Sequence, residues 1–129
     1  MSIFVNKNHL FDIEITGEYV NDNLGVAIGF KECQEGKVKV VLKCLGRDFE
    51  SMSQIIEEAS IINAVTGKPL LRSGVFCQLI ILHFVRNIQV ITEYGEESFV
   101  ISKELINKLQ YDLVKSIAMK WLAFTDGRK

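Results

Sequence analysis

Proline is nearly missing from this chain. Pro69 is the only one, and it falls between two helical patterns, where it punctuates the chain and carries no chemistry. No low-complexity stretch, internal repeat or interdomain linker is present. Cysteine is scarce and scattered: Cys33, Cys44 and Cys77 are odd in number and form no CxxC. That excludes a disulfide framework and a zinc knuckle and points to a reducing compartment. Histidine occurs twice, as His9 and His83. Four residues either side of His83 stand Leu79 and Asn87, so neither HxxxH nor HExxH exists. Charge of one sign is also lacking, because 15 Lys and Arg oppose 16 Asp and Glu. A net charge of -1 gives no global attraction to nucleic acid or anionic lipid. The glycines of "GVAIG" and "GKPLLRSG" match neither a dinucleotide fingerprint nor a phosphate loop.

Long apolar runs are limited to "GVFCQLIILHFVRNIQVI", Gly74 to Ile91. A membrane span needs about 20 apolar residues, and this run is interrupted by Gln78, His83, Arg86 and Asn87. Met1 leads into "SIFVNKNHLFDIEIT", which has no basic segment followed by a continuous apolar one. The reading is therefore a cytosolic chain without a secretory signal.

What is present suits one α+β domain over residues 1–129, mainly β over 1–46 and mainly α over 47–129. "LFDIEIT" alternates Phe11, Ile13 and Ile15 with polar residues, as a half-buried strand does. "GEYVNDN" reads as a turn, "LGVAIGFK" as a second strand, "ECQEG" as the next turn and "KVKVVLKCL" as a third strand. Short turns between strands predict an antiparallel meander of about three to four strands. Lys37, Lys39, Lys43 and Arg47 concentrate charge there, and the reading is a solvated strand face, since no aromatic platform for bases accompanies them.

About three helices follow. In "RDFESMSQIIEEASIINAVTGKP", Ile55, Ile56, Ala59, Ile62 and Val65 recur at helical spacing, with Asp48, Ser51 or Ser53 as N-cap and Gly67 and Pro69 as the stop. Gly74–Ile91 forms an amphipathic helix with Phe76, Cys77, Ile80, Ile81, Phe84, Val85, Ile88 and Ile91 on one arc. Its end competes with a hairpin or arm near 88–101, in which "IQVIT" and "SFVIS" flank "EYGEE". The last helix starts at N-cap Ser102, with Ile101 and Ile106 as a hydrophobic staple, and runs through Leu105, Leu109, Leu113, Val114, Ile117 and Trp121. Gly127 stops it before a short basic tail.

No catalytic constellation emerges. His83 has no ligand or base partner at useful spacing, Cys77 and His83 lie on different sides of one helix, and Cys33 and His9 could meet only through the fold. The neighbouring pairs Glu57–Glu58 and Glu96–Glu97 diverge and do not make an acid–base couple. The expectation is a non-enzymatic protein with no cofactor and no metal. Large aromatic and apolar residues beyond the needs of one small sheet instead nominate a partner-binding patch of Tyr94, Phe99, Tyr111, Trp121, Leu122 and Phe124.

The order "KVVLKCL", helix "FESMSQIIEEA", helix "SGVFCQLIILHFV", arm "NIQVITEYGEESFVIS" and final helix "KELINKLQYDLVKSIAMKWLAF" resembles small bacteriophage tail-assembly chaperones over about two-thirds of the chain. That resemblance implies a protein that holds a hydrophobic phage tail protein competent for assembly, without catalysis. The partner is another protein or a second copy, with no membrane and no nucleic acid. The alternatives are a small inhibitor or immunity-type protein whose acidic "EYGEES" occupies a basic cleft, and a small enzyme whose site is assembled only in three dimensions.

Overall fold

The computed structural model describes residues 3–126. Its centre is a five-stranded antiparallel sheet in the order β2 (Ala27–Glu32), β1 (Phe11–Asn21), β3 (Val38–Cys44), β6 (Val85–Thr92) and β7 (Gly95–Val100). Strand β1 (Phe11–Asn21) is the longest. Ile13 and Ile15 point into the core, while Asp12 and Glu14 face out and meet Lys43 and Lys39 of β3 (Val38–Cys44) at 2.7 and 3.3 Å. The α+β class and C-terminal helix read from the sequence are thus present.

β1 does not turn at Gly17. Its first half pairs with β3 and its second half with β2 (Ala27–Glu32), and Gly17 stands opposite both Val38 and Glu32. The Cys33–Lys37 segment carries the chain from one ladder to the other at that point. A Cβ on Gly17 would collide with the Phe30 ring and the Lys31 carbonyl, and one on Gly36 would overlap the backbone of Gly17. Glycine at 17 serves close approach, so the expected turn moves on to Asp22. There the Asp22 carboxylate accepts from the amides of Leu24 and Val26, and Gly25 takes a positive φ of 79°.

Helix α1 (Phe49–Ala59) starts at Asp48, whose Oδ1 accepts from Ser51 N at 2.8 Å. It stops at Ala59, short of the predicted end. Ser60–Ile62 (β4) and Pro69–Leu71 (β5) form a separate two-stranded hairpin, so Ile62 and Val65 are exposed and leave the helical face assigned to them. The local cause is polar. Asn63 Oδ1 accepts from Val65 N and Thr66 N to set the turn, and the Arg72 guanidinium takes the carbonyls of Glu58 and Ala59. Gly67, at φ 68°, belongs to that turn.

Helix α2 (Ser73–Phe84) likewise ends before Ile91. The β-branched run "VRNIQVIT" becomes β6 (Val85–Thr92), which pairs with β3 and, through a hairpin closed at Gly95, with β7 (Gly95–Val100). The hairpin reading of 88–101 is the one the fold adopts. The last helix is two: α3 (Lys103–Lys108), capped by Ser102 Oγ on Leu105 N, and α4 (Tyr111–Thr125). Leu109 and Gln110 between them are extended. No glycine or proline marks this break. It accompanies docking of α3 against α2, where Gln78 Nε2 donates to Asn107 Oδ1 at 3.1 Å. The expected stop at Gly127 and the basic tail lie outside the described residues.

The helices cover one face of the sheet, enclosing Ile15, Leu42, Ile80, Ile81, Phe84, Ile88, Ile117 and Trp121. Among the described residues no helix is long and apolar enough to cross a membrane.

The Asp48 cap gives a first prediction. Burial pushes its carboxyl up, but hydrogen bonds from Ser51 and the charges of Lys7 and His83 outweigh this and hold it below the usual value. A depressed folded-state pKa contributes stability above the unfolded carboxyl pKa and loses it as pH falls through the folded value. Asp48→Ala should therefore cost about 1 kcal/mol at neutral pH. The difference should shrink in acid, measured by urea unfolding from pH 7 downward. Asp48→Asn, which keeps a cap, should show a smaller loss at pH 7.

Candidate functional site: a cleft at the open end of the sheet

The break at Leu109–Gln110 turns α3 away from the line of α4 and opens a cleft beside the β6–β7 hairpin. It holds about 560 Å³. Val90 and Phe99 form its sheet side, Tyr19 reaches in from β1, and Leu109 and Leu113 come from the helical side. Each position follows from local structure. Val90 and Phe99 lie on the helix-facing side of neighbouring strands, and Leu113 opens the buried stripe of α4. Thr92, Glu96, Glu97, Lys108 and Gln110 supply the polar rim.

Two features set this cleft apart. Gln110 Oε1 is buried and has no hydrogen-bond partner in the fold. The Tyr19 hydroxyl is held above its ordinary pKa, first by burial and then by the Glu97 carboxylate, so it remains a neutral donor through the physiological range. Lys108 is engaged by Glu104 at 3.3 Å. Apolar walls suit a ligand that brings apolar groups, and the Gln110 side-chain carbonyl would meet an N–H donor on it only after turning toward the cleft.

The six nominated partner residues do not form one patch. Tyr94, 93 % exposed at the hairpin tip, and Phe99 line the cleft. Tyr111 lines an adjoining cavity of about 470 Å³ that shares Leu109. Leu122 is half-buried, and Phe124 stacks on Phe11 with centroids 5.2 Å apart. Trp121 has no exposed surface, so it belongs to the core and is removed from the patch. Its ring lies 4.2 Å from Phe84, and its Nε1 donates to Leu45 O at 3.0 Å. Tyr19, Gln110 and Leu113 were missed, because only the unmarked helix break brings them to the hairpin.

Elsewhere the chemistry is sparse. His83 is half-buried in a small cavity with Lys7, Asp48, Ser51 and Arg86, but the Asp48 carboxylate there is engaged as the α1 cap. His9 is exposed in the N-terminal loop. Among the described residues no group of three His, Cys, Asp or Glu side chains is placed to hold a metal ion. All four cations of the basic strand segment have carboxylate neighbours: Lys37 with Glu93, Lys39 with Glu14, Lys43 with Asp12 and Arg47 with Asp126. No protein-family model, curated protein or solved structure matches the chain.

Two measurements follow. Replacing Gln110 by Leu removes a buried acceptor that costs about 1–3 kcal/mol when unpaired, so the variant should be more stable than wild type in chemical denaturation. Burial holds the Cys77 thiol above its ordinary value, and burial with the nearby Asp12 carboxylate pushes Cys44 up to about 12. At pH 8 iodoacetamide should thus label half-buried Cys33 alone in the folded chain, read by peptide mass spectrometry, with Cys44 and Cys77 labelled only after denaturation.

Proposed function

We propose that this chain is a non-enzymatic interaction protein that holds an apolar segment of another protein in the cleft between the β6–β7 hairpin and the α3–α4 break. The observation that carries this reading is the pairing of apolar walls from Tyr19, Val90, Phe99, Leu109 and Leu113 with the unpartnered Gln110 carbonyl. A peptide segment supplies both complements: apolar side chains for the walls and, once the Gln110 amide turns toward the cleft, a backbone N–H for its carbonyl. Resemblance to bacteriophage tail-assembly chaperones fits, the held segment then belonging to a tail protein and the encounter taking place in the cytoplasm. An inhibitor that presents its acidic loop to a basic enzyme has less support. Glu93 already faces Lys37 at 3.8 Å, and Glu96 accepts from Gln89 Nε2 at 3.2 Å.

The test is a nuclear magnetic resonance titration of the full chain with a neutral, end-blocked peptide rich in Leu and Phe, against a Ser-substituted control. Shifts confined to Tyr19, Phe99, Gln110 and Leu113 are expected with the first peptide only. Phe99→Ser should weaken binding about tenfold or more, as removal of a central apolar anchor does, and Gln110→Leu should weaken it despite raising stability. Reversing Glu93, Glu96 and Glu97 to Lys should change affinity by less than about threefold, since rim charges act mainly on association rate. Absence of localised shifts, or loss of binding on charge reversal alone, would overturn the reading.

A further inference from the structure

We infer that the β4–β5 hairpin is a self-association arm through which two copies of this chain form a closed dimer. The connection from α1 to α2 far exceeds what joining two helices needs, and its content is unusual. Between Ser60 and Leu71 the only charge is Lys68. Cross-strand pairing puts Ile61 with Leu70 on one face and Ile62 and Leu71 on the other. Both faces meet solvent: Ile62 is 74 % exposed, Leu70 50 % and Val65 at the tip 93 %. An isolated two-stranded hairpin of this length is marginal in water and buries neither face. Ile56 and Phe49, two turns apart along α1, continue the apolar surface toward the arm. Seven large apolar residues, Phe49, Ile56, Ile61, Ile62, Val65, Leu70 and Leu71, are thus exposed along the arm and α1, where a standard interface takes about 800 Å² from each partner.

The backbone selects the occupant. Asn63 N donates to Lys68 O and Arg72 N to Ala59 O, so the alternate residues Ser60, Ile62, Pro69 and Leu71 turn their peptide groups outward. Pro69 has no N–H, which blunts the β5 edge. The Ser60 amide is taken by Glu57 O. What remains open is the β4 edge, with the Ile62 N–H and the carbonyls beside it. The edges of the main sheet carry charge or a bulge: β2 is bulged at Ile28, opposite Val20 and Asn21 of β1, and ends in Lys31 and Glu32, and β7 carries Glu96 and Glu97. One open edge per copy, uncharged and apolar on both faces, pairs with its own equivalent about a two-fold axis. The result is a four-stranded sheet, β5-β4-β4-β5, whose outer edges are the β5 strands, where Pro69 removes one of the two outward amides and leaves that of Leu71.

Sedimentation equilibrium of the full chain across micromolar concentrations decides the matter. The expected result is twice the 14.6 kDa chain mass, with no larger species. Ile62→Asp and Ile62→Pro should each weaken the dimer about a hundredfold, a hot-spot effect, while circular dichroism shows the fold retained. Ile28→Asp on the β2 edge and Phe99→Ser in the cleft should leave the dimer intact, which separates this inference from the peptide-holding reading. A wild-type chain that stays monomeric would overturn it and assign the arm to a different protein. A dimer insensitive to Ile62 or broken by Ile28→Asp, or open-ended growth of mass, would overturn it equally.

Discussion

Trp121 is the point on which the packing turns. Its indole stacks on Phe84 at the end of α2, and its N–H closes on the carbonyl of Leu45 just beyond β3. Leu45 N in turn donates to Phe84 O, so the last orphan carbonyl of α2 is satisfied by the same stretch of chain. Arg47 lies over the indole at 5.4 Å from its centroid and donates to Leu122 O and Thr125 Oγ1, closing the C-terminal turn of α4. Three elements distant in sequence are thereby fixed to one ring. Burying a tryptophan with its single donor satisfied removes a large apolar area from water without an unpaired polar group.

This clamp acts at one end only. From Trp121 the buried stripe of α4 runs back through Ile117, Val114 and Leu113, and near its first turn the chain breaks at Gln110. α3 is engaged elsewhere, with Ile106 in the core and Asn107 bonded to Gln78 of α2. The helical layer therefore cannot close over the β6–β7 end of the sheet, and the cleft is the space left. The buried Gln110 Oε1 beside that space has no partner in the fold, a local conflict of a kind that native folds seldom keep.

The alternation in Phe11–Ile15 and Val38–Cys44, the Asp48 and Ser102 caps and the apolar face of α2 were all legible, because each depends on neighbours within a few residues. The failures share a different cause. Ile62 and Val65 keep helical spacing yet lie in a hairpin, and Ile88 and Ile91, open to helix or hairpin in sequence, take the hairpin, since β-branched residues satisfy either period and the choice falls to cross-strand partners. Gly17 looked like turn chemistry, but its role is to admit Phe30 and Gly36, which no local pattern encodes. Tyr94 and Phe99 were found for their aromatic character. Tyr19 and Gln110 escaped because what matters about them is the company that the helix break gives them.

The outer face of the sheet shows why composition alone misdirects. Four cations within one short segment suggest a polyanion surface, yet β1 and the β6–β7 turn bring Asp12, Glu14 and Glu93 beside the three lysines, and α4 brings Asp126 to Arg47. Exposed pairs of this kind contribute little stability. Their effect is to cancel the local field, and in a cross-strand ladder they oppose a register slip that would set like charges opposite one another. With charge neutralised there, the recognition chemistry that the fold leaves uncommitted is apolar and backbone in character. Two places that share no residue carry it: the cleft, beside which the Gln110 side-chain carbonyl lacks a donor, and the β4 edge, where the Ile62 N–H faces outward. In the function and the self-association proposed above, polypeptide would supply both the donor and the acceptor.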